Sequence, residues 1–124
     1  MTYRPSLAPD RIAYLGDRLD ERLRSAARGS ANAIPREQLL LELRCFEPRL
    51  DDRDLRWLYA ELGMCVGPRG VYYPVSKRDF EAAEQYVTAK ARSMSISARE
   101  RIARMRQRFP EYAPAEGEQL GLWA

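Results

Sequence analysis

Apolar positions recur at spacings of three and four along most of the chain, a periodicity that predicts helices. Ile12, Leu15, Leu19 and Leu23 alternate with Arg and acidic residues, giving an amphipathic helix that starts from a cap at Asp10 and ends near Arg28 and Gly29. After a GSANA loop, Pro35 suits a first helical turn. The run REQLLLELRCF then offers Leu39, Leu40, Leu43 and Phe46 for burial before Pro48 ends it. A third helix, RDLRWLYAEL, starts behind Leu50 and the capping acids Asp51 and Asp52. Its inner face carries Leu55, Leu58, Tyr59 and Leu62, and Gly63 supplies the left-handed stop.

The period then shortens. MCV and VYYPV are short and rich in strand formers, and Gly67-Pro68-Arg69-Gly70 between them is turn chemistry, so a β-hairpin is expected with Arg69 at its tip. Ser76 to Asp79 is a capping-box-like helix start. From there Phe80, Ala83, Val87, Ala91, Met94, Ala98, Ile102, Met105 and Phe109 form a heptad-like stripe. The favoured expectation is one continuous helix over 76–109, about 50 Å long at the α-helical rise. Its far half would need a partner, either the first helix or a second protomer, which makes a homodimer through this helix an option. Ser93, Ser95 and Ser97 weaken the middle, and Ser97 with Glu100 is a second capping box, so a break giving a helical hairpin is the rival. Pro110 stops the helix, and EYAPAEGEQLGLWA reads as a flexible acidic tail.

The expected architecture is therefore mainly α with a small β-hairpin. An irregular lead-in covers 1–9, a winged helix-turn-helix head 10–75, a long C-terminal helix 76–110, and a tail 111–124.

At 124 residues the chain is one domain with an appended arm. Its 21 basic residues exceed its 18 acids by three, and all but Lys77 and Lys90 are Arg. The excess is uneven: residues 51–75 carry three Arg against four acids, whereas residues 76–110 carry nine basic residues against four acids. The head is nearly neutral and the positive face falls on the last helix, where Arg92, Arg99, Arg101, Arg104, Arg106 and Arg108 either follow a phosphate backbone or form a solvated surface. Two cysteines without histidine make no standard zinc site, so Cys45 and Cys65 are expected as free buried thiols and no metal is expected. Neither a phosphate loop nor a nucleophile beside a base occurs, which argues against an enzyme and against a cofactor. With no signal core and no membrane-length apolar run, a cytoplasmic protein without membrane contact is expected.

In a helix-turn-helix the second helix of the pair enters the major groove. Arg49, Arg53, Arg56 and Arg69 can contact phosphate or guanine there, and Trp57 can pack on sugar or protein. Asp51, Asp52, Asp54 and Glu61 on the same element repel phosphate. The plainer reading pairs Arg53 and Arg56 with neighbouring carboxylates, or with Asp10 or Asp17.

The run DDRDLRWLYAELG, followed by GPRGVYYPVSKRDFEAAEQYVTAKARSMSISARERIARMR, resembles small phage and prophage winged-helix proteins, from about residue 10 to residue 109. The resemblance implies a winged-helix fold, DNA as a partner and a role in phage DNA transactions. It departs from the usual Gly-Tyr wing at Gly70-Val71-Tyr72. Gln119-Leu120-Gly121-Leu122-Trp123 is similar to the pentapeptide by which bacterial replication and repair proteins dock on the β sliding clamp. Leu120, Leu122 and Trp123 would fill an apolar groove with Gln119 bonding at its edge. Folding of the same side chains back onto their own molecule is the alternative. For the whole chain the alternative is a non-enzymatic protein-binding inhibitor or adaptor, directed at the clamp or at a host-defence complex, without DNA contact.

Overall fold

The computed structural model describes residues 5–90 and 98–114. Five α-helices and a two-stranded antiparallel sheet build it, in the order α1 (Pro9–Ala26), α2 (Arg36–Leu43), α3 (Asp52–Glu61), β1 (Cys65–Gly67), β2 (Gly70–Tyr72), α4 (Lys77–Ala89) and α5 (Ala98–Arg108), with 3-10 turns at Ser30–Asn32 and Pro110–Tyr112. The mainly helical chain with a small hairpin is the architecture that the apolar periodicity led us to expect.

Local chemistry sets most boundaries. Asp51 caps α3 by accepting a hydrogen bond from the Asp54 amide at 2.8 Å, and Ser76 caps α4 through the Asp79 amide at 3.1 Å. The start of α1 differs from expectation. Ala8 occupies the cap position without a side-chain bond and Pro9 begins the helix, so Asp10 lies in the first turn and favours the dipole rather than capping. Gly63 closes α3 at φ +69°, where an added Cβ would stand 2.4 Å from the Arg104 carbonyl oxygen. The close passage of α5 over the end of α3 therefore requires glycine.

In the hairpin, Cys65 pairs with Tyr72, Val66 with Val71 and Gly67 with Gly70. Val71 also exchanges two backbone hydrogen bonds with Ile34, at 2.9 and 3.0 Å, on its other side. The chain between α1 and α2 thus lies along β2 and seats the hairpin on the helices.

Leu15, Leu19 and Leu23 of α1, Leu39 and Leu43 of α2, and Leu55, Leu58 and Tyr59 of α3 meet in one core. The stripe of the C-terminal segment joins it: Phe80, Ala83, Val87, Ile102, Met105 and Phe109 are all buried within the single chain. Each such large side chain contributes about 1.5–3 kcal/mol on burial.

The expected continuous helix over 76–109 is corrected here. Arg106 Nε lies 2.8 Å from Glu84 Oε2 across 22 residues of sequence, a separation that would span about 33 Å in a straight helix. The ring of Phe109 packs edge-on against Tyr73 with centroids 5.0 Å apart. So α5 returns along α4 and α3. A straight rod would leave Ile102, Met105 and Phe109 uncovered, whereas folding back buries them against the hairpin and helices of the same chain. The serines expected to weaken the middle, Ser93, Ser95 and Ser97, lie outside the described residues. No helix among those residues is long and apolar enough to cross a membrane.

The cysteines also differ from each other. Cys65 is a free buried thiol, and burial, helped by the charges of Asp79 and Glu84, pushes it well above the ordinary range. Cys45, expected to be buried, is exposed, because α2 ends at Leu43 and the following turn faces outward.

Candidate nucleic-acid interface

Helix α3 buries Asp54, Leu55, Leu58, Tyr59 and Ala60 and exposes Arg53 and Arg56. Its three aspartates, which as bare charges would oppose an anionic partner, all have internal duties. Asp51 is the helix cap. Asp54 is fully buried and accepts from the Ser6 hydroxyl at 3.2 Å. Asp52 sits between two guanidinium groups, with Arg36 Nε 2.7 Å from one oxygen and Arg56 Nε 3.2 Å from the other. Glu61, at the end of α3, pairs with Arg104 of α5.

The other residues expected at this surface are dispersed. Arg49, exposed in the turn before α3, has its Nε 3.7 Å from Glu47 Oε2. Arg69 is exposed at the hairpin tip. Neither enters the Asp52 ion pairs. Trp57 is half-buried and packs against the core, so part of its ring is structural. Pairing of Arg56 with a neighbouring carboxylate occurs as the plainer reading had it, although the acid is Asp52 rather than Asp10 or Asp17. Gln119, Leu120, Leu122 and Trp123 lie outside the described residues.

Two residues join the α3 surface, Arg36, which the sequence did not single out, and Arg101, which it placed on the face of the last helix. Arg36 arrives from the first turn of α2, and Arg101 from α5 places its guanidinium carbon 5.9 Å from the centroid of the Tyr59 ring. Burial pushes the Tyr59 hydroxyl above its ordinary pKa, and the positive charges of Arg101, Arg36 and Arg56 act the other way. Burial also lowers the Arg101 pKa, against the partial compensation of Tyr59 and Tyr86. Arg36 Nε is a buried donor without an aligned hydrogen-bond acceptor among the described residues: it lies close to Asp52, but its N–H is not directed at that oxygen. No sequence signal marks Arg36, and the return of α5 is what brings Arg101 to Tyr59.

Arg99 is exposed, and three further arginines of α5 pair with acids of other helices. Arg104 pairs with Glu61 of α3, Arg106 with Glu84 of α4, and Arg108 with Asp20 of α1 at 2.6 Å. The two readings offered for this face, a phosphate track or a solvated surface, both give way to a third for these residues: they tie α5 to three different helices.

A second feature lies on α1. Tyr14 and Phe46 meet edge to face with centroids 6.2 Å apart, and the Arg18 guanidinium carbon stands 4.2 Å from the Phe46 centroid. Beside it a groove of about 250 Å³ runs between α1 and α2, lined among others by Arg18, Arg22, Leu39, Glu42 and Phe46. Among the described residues no group of His, Cys, Asp and Glu side chains converges in a way that could hold a metal ion.

No family model, no curated protein and no solved structure matches this chain.

Proposed function

We propose that the chain is a winged helix-turn-helix DNA-binding protein of phage type that docks on the bacterial replication sliding clamp through its C-terminal tail. The element order supports this reading: a helix, an extended segment bridged to the hairpin at Ile34, two further helices and then the hairpin. In it, α3 is the groove-entering helix, Arg53 and Arg56 are its contact residues, and Arg69 stands at the tip of the wing. The observation that carries it furthest is that Arg53 and Arg56 are exposed on α3 while Asp54 is buried and Asp52 is held between Arg36 and Arg56. Clamp docking is supported by the residue pattern Gln119, Leu120, Leu122 and Trp123 alone. Two weak contacts would then combine by avidity.

The exposed aromatic pair Tyr14–Phe46, ringed by Arg11 and Arg18, favours a second reading, a protein-binding adaptor or inhibitor without DNA contact. Salt separates the two. Fluorescence anisotropy of a labelled duplex titrated with the full chain is expected to show binding that weakens steeply with salt and is lost in Arg53→Ala/Arg56→Ala. Binding of the full chain to the clamp is expected to respond little to salt and to vanish in Leu122→Ala/Trp123→Ala. Absence of duplex binding at low salt would reject the DNA reading.

A further inference from the structure

Helix α1 divides its sides between the core and an uncovered stripe. Leu15, Leu19 and Leu23 enter the core, and Gly16 lies against α3, where an added Cβ would stand 3.6 Å from Leu58 Cδ1. The opposite side presents Tyr14, Asp17, Arg18, Glu21 and Ser25, all exposed and spaced to share one stripe. Two arginines beside that stripe have internal duties: Arg22 is held by Glu42, and Arg11 by Glu47 and the Phe46 carbonyl. Asp17, Arg18 and Glu21 differ, because among the described residues none of the three has an ion-pair partner. Arg18 lies against rings instead, its guanidinium carbon 4.2 Å from the Phe46 centroid and 5.9 Å from that of Tyr14. Asp17 and Glu21 stand one turn apart, so their like charges repel.

Apolar surface adjoins these charges. Tyr14 and Phe46 are 40% and 38% exposed, and the neighbouring groove between α1 and α2 has Leu19, Leu39 and Leu43 at its floor. A matching cover must bring a cation to Asp17 and Glu21, a carboxylate to Arg18 and an apolar group to the groove. The stripe itself carries all three. Set antiparallel about a two-fold axis between Asp17 and Arg18, two copies of α1 place Arg18 of each against Asp17 of the other. The same turn sets Tyr14 of each copy against Glu21 of the other, at the mouth of the groove that Glu21 and Ser25 help to line. Each contact is then made twice, as a two-fold interface requires.

We propose that a second copy of this chain covers the face, through an antiparallel contact of α1 with α1 in a two-fold dimer. This is a different surface from the C-terminal stripe, whose apolar residues are buried in their own chain. Because α3 packs on the other side of α1, its exposed Arg53 and Arg56 stay open in the dimer. The dimer stands apart from the DNA-binding reading; where both hold, two α3 helices related by the axis suit a palindromic site.

The test follows sedimentation of the full chain against concentration, at low and at high salt. The wild type is expected to pass from monomer to dimer as concentration rises, more readily at low salt. Arg18→Glu makes the centre of the stripe wholly acidic, and Asp17→Arg/Glu21→Arg makes it wholly basic. Each is expected to associate with itself at least about tenfold more weakly than the wild type. An equimolar mixture of the two is expected to regain the dimer, because every facing pair is again opposite in charge. In parallel, a nitroxide is placed on the exposed Cys45 thiol, Cys65 being buried, and labelled copies are mixed with ¹⁵N-labelled copies. Amide signals of Tyr14, Asp17, Glu21 and Ser25 are expected to broaden far more than those of α5, which reaches α1 from the other side through Arg108 and Asp20. A wild type that stays monomeric throughout would overturn the proposal and leave the face to a partner of another sequence. A dimer whose broadening falls on α4 and α5 would overturn this face as the interface. A mixture that stays monomeric while the wild type dimerises would overturn the reciprocal ion pairs and the antiparallel contact with them. The broadening experiment uses the native sequence, so a variant that fails to fold does not block the result.

Discussion

Two groups of three arginines meet around α3 and α5, and they spend their charge differently. Arg104, Arg106 and Arg108 of α5 each find a carboxylate of their own, from α3, α4 and α1 in turn. Arg36 and Arg56 instead share Asp52, and Arg101 lies against the Tyr59 ring beside them. The first group ties α5 to three other helices; in the second, one carboxylate meets two guanidinium groups, and a third guanidinium stands against a buried ring. An arginine count along the chain assigns the positive surface to the last helix, whereas three of that helix's arginines are ion-paired with acids of other helices. Net charge predicts partners only after the internal ion pairs have been subtracted.

The largest expected effect breaks the first group. Arg106 and Glu84 are 12% and 11% exposed in their side chains, so the ion pair is largely desolvated. Removing one partner leaves a buried charge, and Arg106→Ala is expected to destabilise the fold by about 3 kcal/mol in urea unfolding. Replacing both residues by leucine should restore most of that loss, since the opposed charges disappear together. A single variant as stable as the wild type would show that α5 is held by its apolar stripe alone.

Gly63→Ala comes next. At φ +69° with the Arg104 carbonyl oxygen 2.4 Å from the new Cβ, alanine is strained and must push α5 away. A loss of roughly 2 kcal/mol is expected by the same measurement. It should weaken the Arg104–Glu61 contact and withdraw Arg101 from Tyr59, so the separation of the two groups would blur in this variant. Faster hydrogen exchange of the α5 amides would report it.

Much of this arrangement was legible in the chain. Asp51, Ser76, Gly63 and the Gly67–Gly70 turn are local chemistry, and each stands where its residue type suggests. The apolar residues at three- and four-residue spacing predicted most of the buried positions, but Phe46, offered for burial with Leu39 and Leu43, is exposed because α2 ends at Leu43. The course of the C-terminal segment was not legible, because Ile102, Met105 and Phe109 have the same spacing whether they cover a second protomer or their own chain. The α3 aspartates misled for a related reason. Capping by Asp51 is written locally, but the burial of Asp54 under Ser6 and the bridging of Arg36 and Arg56 by Asp52 are tertiary facts. Arg36 and Arg101, whose charges both act on Tyr59, are separated by about half of the chain, and no spacing rule connects them.

A smaller effect sharpens the comparison by moving its two sides in opposite directions. Asp52→Asn removes the carboxylate between Arg36 and Arg56, and Asp20→Asn removes the one that meets Arg108. Both are partly exposed pairs, so each variant is expected to lose no more than about 1 kcal/mol of stability. Their effects on anions should differ. If α3 is the DNA-contacting helix, Asp52→Asn is expected to raise duplex affinity by about threefold or more, because one repulsive charge has left that helix. Asp20→Asn should leave it unchanged. Equal responses in the anisotropy titration would mean that the two groups contribute to the field alike.

The smallest effect concerns an arginine that belongs to neither group. Arg22 donates from Nε to Glu42 Oε1 at 2.6 Å across the surface of α1 and α2, with both side chains a third or more exposed. That hydrogen bond holds the Glu42 carboxyl below its ordinary pKa, against the opposing effect of burial and with help from Gln38 and the Arg22 charge. Because the folded pKa is the lower one, the unfolded chain takes up the proton first as pH falls. The contribution of Glu42 is therefore complete above the ordinary carboxyl range, about pH 4.3. It declines as pH falls through the folded value. Arg22→Gln is expected to reduce stability by under about 1 kcal/mol at pH 7, given solvent screening of an exposed pair. The gap between variant and wild type should close as pH falls through the lowered folded pKa of Glu42, when the carboxylate is protonated in both states. Urea unfolding of the two proteins at pH 7 and at acid pH measures that gap. A gap that persists in acid would assign the role of Arg22 to the packing of its stem along the groove between α1 and α2, and not to its charge.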